Sequence, residues 1–250
     1  MGKIIKAILF DLGNTLIYFD GCWEEILGES YLSLADALID RGICVERDLF
    51  ASIFKGRMSQ YFAERETTLI EKTAGNVLRS LLAEMGFSDI GDEDLRFALD
   101  SMYRITEARW RLEEDTIPIL ESLRQKGYRL GLVSNAADTR DVERLMDGFQ
   151  LNDYFSEVII SASVGIRKPH PQIFDNALVG LGAAPQETMM VGDTLNADVL
   201  GANRLGIESV WITRRVDFSE QDNHCEEIRP DHVIENLWEL IGVLEKPVSL

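Results

Sequence analysis

The spacing of hydrophobic residues changes twice along this chain of 250 residues. An apolar run, residues 4–10 with Lys6 as its one charged residue, stops at Asp11 and predicts one buried strand. Residues 19–113 then carry apolar side chains at helical spacing, and from Asp115 onward short apolar runs alternate with helical stretches. The pattern predicts a sheet whose first strand is separated from the others by a helical insertion.

The insertion contains four apolar stripes, each on one face of a predicted helix. The stripes are Leu27, Tyr31, Leu34 and Leu38; Leu49, Ile53, Met58 and Phe62; Leu78, Leu81, Leu82 and Met85; and Leu95, Ala98, Met102 and Ile105. Stripes with this spacing are typical of helices that pack on a core. Residues 18–21, ahead of the first helix, predict a short loop.

The second half of the chain reads as alternating strands and helices. Strands are predicted at 129–133, 157–160, 188–191, 209–212 and, as a short edge strand, 233–234; helices are predicted at 139–146, 171–181 and 197–205, and after Asn236. Asp115 is the predicted cap of a further helix, and residues 214–229 predict a surface loop. Such alternation favours a parallel α/β sheet with right-handed crossovers. We therefore expect a core of residues 1–18 and 114–250 and a cap of residues 19–113.

Composition and charge narrow the possible functions. A hydrophobic fraction of 46% and a charged fraction of 27% are typical of a folded soluble protein. The net charge of −18 disfavours nucleic acid and anionic membranes as partners, and no apolar run has the length of a membrane span. Cys22, Cys44 and Cys225 suit neither a disulfide framework nor a zinc site, so we expect reduced thiols and a cytoplasmic protein. The composition is compatible with a monomer or a homodimer.

Polar residues capable of chemistry follow four of the predicted strands. They are Asp11, the pair Ser134 and Asn135, Lys168 in a loop bounded by Pro169, and the pair Asp193 and Asp198. Each alone has an ordinary interpretation as a turn residue, a helix cap or a solvated loop residue. Because the carboxyl ends of parallel strands meet at one edge of a sheet, all of them are expected to lie close together. Carboxylates suit Mg²⁺, while a lysine, a hydroxyl and an amide suit a phosphoryl group, so the set predicts a phosphoryl-transfer site.

In order, spacing and content, the stretches 11–16, 130–135, 165–169 and 189–198 resemble the motifs of the haloacid dehalogenase-like (HAD) hydrolase superfamily. The chain is most similar to the branch with a helical cap inserted after the first strand, whose members are mostly magnesium-dependent phosphatases. The resemblance implies a Rossmann-like, doubly wound core with an all-helical cap of four helices. It also implies a phosphatase that hydrolyses a small phosphorylated metabolite through an aspartyl-phosphate.

The resemblance assigns a role to each residue of the set. Asp11 would be the nucleophile, and Lys168 would orient it and neutralise the intermediate. The implied Mg²⁺ ligands are Asp11, the carbonyl of Gly13, Asp193 and Asp198. The implied phosphate contacts are Ser134, Asn135 and Lys168.

One position departs from the family pattern. Most family phosphatases have a second Asp two residues after the nucleophile, as general acid and then base, and here that residue is Gly13. General acid–base catalysis by a positioned side chain typically accelerates a reaction by roughly 10²–10⁴-fold. Another residue such as Asp20 or Glu24, or a water, would have to substitute; otherwise the substrates have good leaving groups or the activity is low.

Two alternative functions stay open. Gly13 favours a weakly active or non-catalytic protein that binds a phosphorylated metabolite or a protein partner. A 2-haloacid dehalogenase would share the fold and the Asp nucleophile, but it needs no metal and usually lacks the acidic pattern of Gly192, Asp193 and Asp198.

Overall fold

A computed structural model describes residues 4–216 and 228–245. The strands are β1 (Ala7–Phe10), β2 (Ile17–Phe19), β3 (Trp110–Leu112), β4 (Arg129–Ser134), β5 (Glu157–Ile160), β6 (Thr188–Gly192), β7 (Glu208–Ile212) and β8 (His232–Ile234). The helices are α1 (Trp23–Asp40), α2 (Arg47–Thr68), α3 (Ala74–Glu84), α4 (Asp92–Glu107), α5 (Thr116–Gln125), α6 (Thr139–Gly148), α7 (Ser161–Val164), α8 (Pro171–Leu181), α9 (Leu200–Leu205) and α10 (Trp238–Glu245). The predicted α/β fold with four inserted helices is confirmed.

Six of the described strands form one parallel sheet in the order β5-β4-β1-β6-β7-β8. The central strand β1 is buried along its whole length, because helices cover both faces of the sheet. Ile8 and Phe10 pack on one face, and Ala7 and Leu9 pack on the other with Phe174. After β1 the chain forms β4 and β5 on one side of it and then crosses to form β6 on the other side, so the crevice at the carboxyl end of β1 is the expected ligand site of such a sheet.

The inserted helices α1–α4 have a hydrophobic core of their own. Tyr31 and Leu34 of α1, Phe54 of α2, Leu78 of α3 and Leu99 of α4 are buried together in it. Most residues of the predicted apolar stripes therefore face one another, but Leu49 and Met85 are exposed, at 56% and 37%, and lie outside this core. The exact boundaries between cap and core stay a prediction.

The predicted loop at 18–21 is partly wrong, because Tyr18 and Phe19 belong to strand β2. Phe19 lies opposite Trp110 and Ile17 opposite Leu112 in an antiparallel pair between β2 and β3. Each segment is three residues long, too short for a period of two to be recognised in one sequence. The pair joins the chain that enters the insertion to the chain that leaves it.

Two further local predictions need correction. Helix α5 does follow Asp115, but the Asp115 carboxylate makes no cap hydrogen bond and accepts instead from Arg214 and from the N–H of Leu237. The helix predicted at 197–205 begins as a π-helical turn, Leu195–Val199, before α9. There the Asp198 carboxylate accepts the N–H of Thr194, which reshapes the turn.

The cysteines and the loop 214–229 can be compared with the sequence predictions only where the structure describes them. Cys22 and Cys44 carry free, exposed thiols, whereas Cys225 and most of the predicted loop 214–229 lie outside the described residues. None of the helices in the described part of the chain is both long and apolar enough to cross a membrane.

Arg214 joins three parts of the core. Its guanidinium donates to both carboxylate oxygens of Asp115, at 2.8 and 2.7 Å, and to the carbonyl of Thr15 at 2.9 Å. It also lies 3.4 Å from a carboxylate oxygen of Glu113. Asp115 is 1% exposed, so Arg214 supplies the positive charge that compensates for the burial of this carboxylate.

We expect Arg214→Ala to lower the free energy of unfolding by roughly 3–5 kcal/mol, since it leaves a buried carboxylate without its cation. Urea unfolding measures the loss. Arg57→Ala, which removes a half-exposed arginine paired with Glu84, is the control and should have a much smaller effect. Equal losses in the two variants would contradict this account of Arg214.

Candidate active site

Asp11 begins a tight turn at the carboxyl end of β1. Its N–H donates to the carbonyl of Val191 in the neighbouring strand, at 2.9 Å, which continues the sheet to the carboxylate itself. Leu16 and Ile17 then donate to the carbonyl of Leu12, at 2.9 and 3.1 Å, and close the turn. The sheet therefore fixes the backbone from which the Asp11 side chain enters the crevice.

Lys168 is a buried cation that contacts two carboxylates. Its Nζ lies 2.6 Å from Oδ1 of Asp11 and 2.7 Å from Oδ1 of Asp198, and the residue is 3% exposed. Burial alone would lower the pKa of Lys168, but Asp11 and Asp198 raise it above its ordinary value. The lysine is therefore a fixed positive charge beside the predicted nucleophile.

Asn135 fixes the backbone of that lysine. Its Nδ2 donates to the carbonyl of Lys168 at 3.1 Å, and its Oδ1 accepts the N–H of Lys168 at 2.8 Å. Both ends of the side-chain amide are thus engaged with one residue. The Asn135 amide therefore positions Lys168, and its contact with phosphate stays a prediction.

The end of β6 supplies the two remaining carboxylates. The carbonyl of Asp193 accepts the indole N–H of Trp211 at 2.8 Å, and the N–H of Thr194 donates to Oδ2 of Asp198 at 3.0 Å. The Asp198 carboxylate lies where a side chain on residue 192 would be, so that position needs glycine. Gly192 therefore makes room for Asp198 next to Lys168.

Asp11, Asp193 and Asp198 form an acidic cluster in which one oxygen of each carboxylate lies within 4.8 Å of the others. Burial raises the pKa of Asp11 to about 6, against the opposing charge of Lys168 and with a contribution from Asp198. Burial, with the charges of Asp11 and Asp198, raises the pKa of Asp193 to about 7. One ammonium group therefore does not balance three carboxylates, and a hard cation with oxygen ligands such as Mg²⁺ fits the site.

A cavity of about 730 Å³ opens over this cluster. Seven of the residues that line it are those predicted from sequence: Asp11, Gly13, Ser134, Asn135, Lys168, Asp193 and Asp198. Asp20 and Glu24 are not among the described residues that line this cavity. The two carboxyl groups that the sequence offered in place of the missing aspartate at position 13 therefore do not reach it. Trp110, Asp141 and Arg167 are among the other wall residues, to which the sequence analysis gave no role in the site.

The insertion covers the cavity through a short latch segment, residues 69–71. The carbonyl of Leu69 accepts the N–H of Arg167 at 3.1 Å, and the N–H of Glu71 donates to the carbonyl of Gly165 at 3.0 Å. The buried Glu71 carboxylate also accepts the hydroxyl of Ser161 at 2.8 Å. The cap is thereby attached to the loop that carries Lys168.

Residues 5–206 match the family model for haloacid dehalogenase-like hydrolases. The chain belongs to this family. Its HAD membership rests on a match that spans all four motif stretches together with the inserted helices.

Relatives of this HAD hydrolase include proteins named as phosphatases. A glyceraldehyde 3-phosphate phosphatase of Methanothermobacter thermautotrophicus is 29% identical over 246 residues, which cover 96% of this chain and 100% of that protein. A phosphoserine phosphatase of Thermus thermophilus is 36% identical over 138 residues, which cover 55% of this chain and 53% of that protein.

Solved structures agree with the fold. A HAD phosphatase from Thermococcus onnurineus has a TM-score of 0.64 and 29% identity, with 96% of this chain and 98% of that chain covered. A 2-haloacid dehalogenase from Pseudomonas syringae has a TM-score of 0.66 and 23% identity, with the same coverage of the two chains. The second likeness concerns the fold alone.

The crowded carboxylates of this HAD site predict how stability depends on pH in protein freed of metal by EDTA. The folded state holds protons on Asp11 and Asp193 at pH values where the unfolded chain, with an ordinary pKa of 3.8, has lost them. Their contribution to stability is therefore complete below pH 3.8 and is lost as the pH rises through about 6 and 7. We expect the free energy of unfolding in EDTA to fall between pH 5 and pH 7.5, as measured with urea.

Asp193→Asn isolates this effect, because it removes one of the crowded charges. The variant should lose less stability than the parent between the two pH values, whereas Asp175→Asn, at an exposed position on α8, should lose as much as the parent. An Asp193→Asn variant with the full pH-dependent loss would contradict the contribution of the buried Asp193 carboxyl group to this pH dependence.

Proposed function

We propose that this protein is a magnesium-dependent phosphatase that hydrolyses a small phosphomonoester through a phosphorylated Asp11. The observation that carries the proposal is the contact of one buried ammonium, Lys168, with both Asp11 and Asp198, beside the third carboxylate of Asp193. A nucleophilic carboxylate needs a positive charge to approach a phosphate dianion, and this arrangement provides a fixed one.

In the first step, Asp11 attacks phosphorus, and the bond from phosphorus to the alcohol oxygen breaks. Lys168 holds the Asp11 oxygen at 2.6 Å and neutralises charge as the phosphoryl group is transferred. Ser134, at the end of β4 on the cavity wall, provides a hydroxyl donor for a phosphoryl oxygen. In the second step a water attacks the phosphorylated Asp11, which releases phosphate and restores the carboxylate.

The proposed Mg²⁺ ligands are the three carboxylates of the acidic cluster and the carbonyl of Gly13. When bound there, the ion neutralises the carboxylates and the substrate phosphate and orients the phosphoryl group. The protein has a net charge of −18, so long-range attraction does not bring an anionic substrate to the site, and local positive charge has to do so.

The names of the relatives support phosphate chemistry. A glyceraldehyde 3-phosphate phosphatase that aligns with nearly the whole chain and a phosphoserine phosphatase that aligns with half of it both act on small phosphomonoesters. The dehalogenase alternative rests on a shared fold, and the retained Asp193 and Asp198 weigh against it because dehalogenation needs no metal. The non-catalytic alternative does not explain why Lys168 is paired so closely with Asp11.

The test is phosphate release from p-nitrophenyl phosphate and a panel of metabolite phosphates, with Mg²⁺ or with EDTA. We expect release that requires Mg²⁺ and that falls by at least about 10³-fold in Asp11→Asn, because the amide is a poor nucleophile. Asp175→Asn is the matched control and should retain the parent rate. A folded parent protein that releases phosphate no faster than Asp11→Asn would overturn the proposal and favour a binding protein.

A further inference from the structure

Trp110 covers the position where most HAD phosphatases carry the second aspartate. The indole atom Cη2 lies 3.4 Å from the point that a Cβ on Gly13 would occupy. A methyl group there would be in ordinary van der Waals contact with the indole. Gly13 has no acidic group, so a proton for the leaving group would come from another residue of the cavity or from water.

A second cavity of about 190 Å³ adjoins the main one between cap and core. Its wall is largely apolar and aromatic, with Met58, Phe62 and Tyr103 among its residues. Four residues line both cavities and so form their boundary: Trp110, Asn135, Ala136 and Asp141. An alcohol that extends from a phosphoryl group on Asp11 into the second cavity passes this boundary.

Asp141 presents a carboxyl group at this boundary, from the first turn of α6. Its Oδ1 is buried and has no hydrogen-bond partner among residues 4–216 and 228–245. Among the described residues on the main cavity wall, Glu66 is the other carboxyl group outside the acidic cluster, and it is ion-paired with Arg167 at 3.0 Å. Outside that cluster, Asp141 is thus the carboxyl group on this wall that no described cation holds in an ion pair, and its side chain shares a hydrogen bond with the Glu107 carboxylate.

The surroundings of Asp141 favour its protonated form. Burial raises the pKa of Asp141 well above its ordinary value, and the neighbouring carboxylates of Glu107 and Asp138 raise it further, while Arg144 opposes the rise. Arg144 is itself engaged with Glu107 at 2.8 Å and Asp100 at 2.7 Å. A carboxylic acid kept neutral at the edge of a reaction cavity is able to donate a proton.

We propose that Asp141 replaces the missing second aspartate and donates a proton to the leaving alcohol, an inference that rests on the proposed phosphatase function. When Asp11 attacks phosphorus and the bond from phosphorus to oxygen breaks, the proton of Asp141 passes to the alcohol oxygen, which leaves as a neutral alcohol. Asp141, now ionised, takes a proton from the water that attacks phosphorylated Asp11. Phosphate leaves, and both aspartates return to their starting states.

The experiment compares substrates whose leaving groups differ in their need for a proton. p-Nitrophenyl phosphate expels a stable anion, phenyl phosphate a less stable one, and glycerol 3-phosphate an alkoxide. In Asp141→Asn, kcat should fall within about threefold on p-nitrophenyl phosphate and by roughly 10²–10⁴-fold on glycerol 3-phosphate, with phenyl phosphate between them. Asp147→Asn, at an exposed position on the same helix, is the control and should match the parent on all three.

The outcomes separate this inference from the function on which it rests. Equal losses on all three substrates would show that Asp141 is structural, and no loss on glycerol 3-phosphate would show that it is not the acid; either result overturns the inference and leaves the phosphatase in place. A parent protein that releases no phosphate from p-nitrophenyl phosphate with Mg²⁺ overturns both. Asp141→Ala repeats the comparison without an amide, and its activity on p-nitrophenyl phosphate reports whether the site is still folded.

Discussion

The burial of Lys168 between Asp11 and Asp198 is the constraint on which the site depends. An ammonium group that is 3% exposed is stable only with well-placed anions, and here two carboxylates lie within 2.7 Å of it. Neighbouring residues hold Lys168 and Asp198 in the positions that this contact needs. Asn135 fixes the lysine backbone from β4, and Gly192 leaves the space that Asp198 occupies at the end of β6. Three adjacent strands are thereby tied to one charge.

The cap depends on the same loop. Leu69 and Glu71 bond to the backbone of Arg167 and Gly165, immediately before the buried lysine. A movement of this latch segment away from the core would break hydrogen bonds to the residues that position Lys168. Access to the cavity and the placement of its central charge are therefore coupled through the backbone, as expected where a cap closes over a reaction that excludes water.

The parts of the fold that sequence predicted well are those with a strong local signal. The local sequence is enough to recognise a buried strand that ends in polar residues, a helix with an apolar stripe, or a lysine loop bounded by proline. The pairing of β2 with β3 joins residues about ninety positions apart, a kind of contact for which local spacing gives no signal. Trp110 and Asp141 were missed for the same reason, since one leaves the insertion, the other begins α6, and tertiary packing alone brings them to the cavity.

The missing carboxylate at Gly13 changes which part of the protein governs proton transfer. A second aspartate on the nucleophile loop would belong to the core alone. Asp141 also belongs to the core, but Glu107, which helps to hold its proton, comes from the cap helix α4 and is anchored by Arg144 of α6. The burial and charge that keep Asp141 neutral thus exist where cap and core meet. If Asp141 is the acid, as proposed, a displacement of α4 from the core would separate Glu107 from Asp141, so proton donation would depend on the position of the cap.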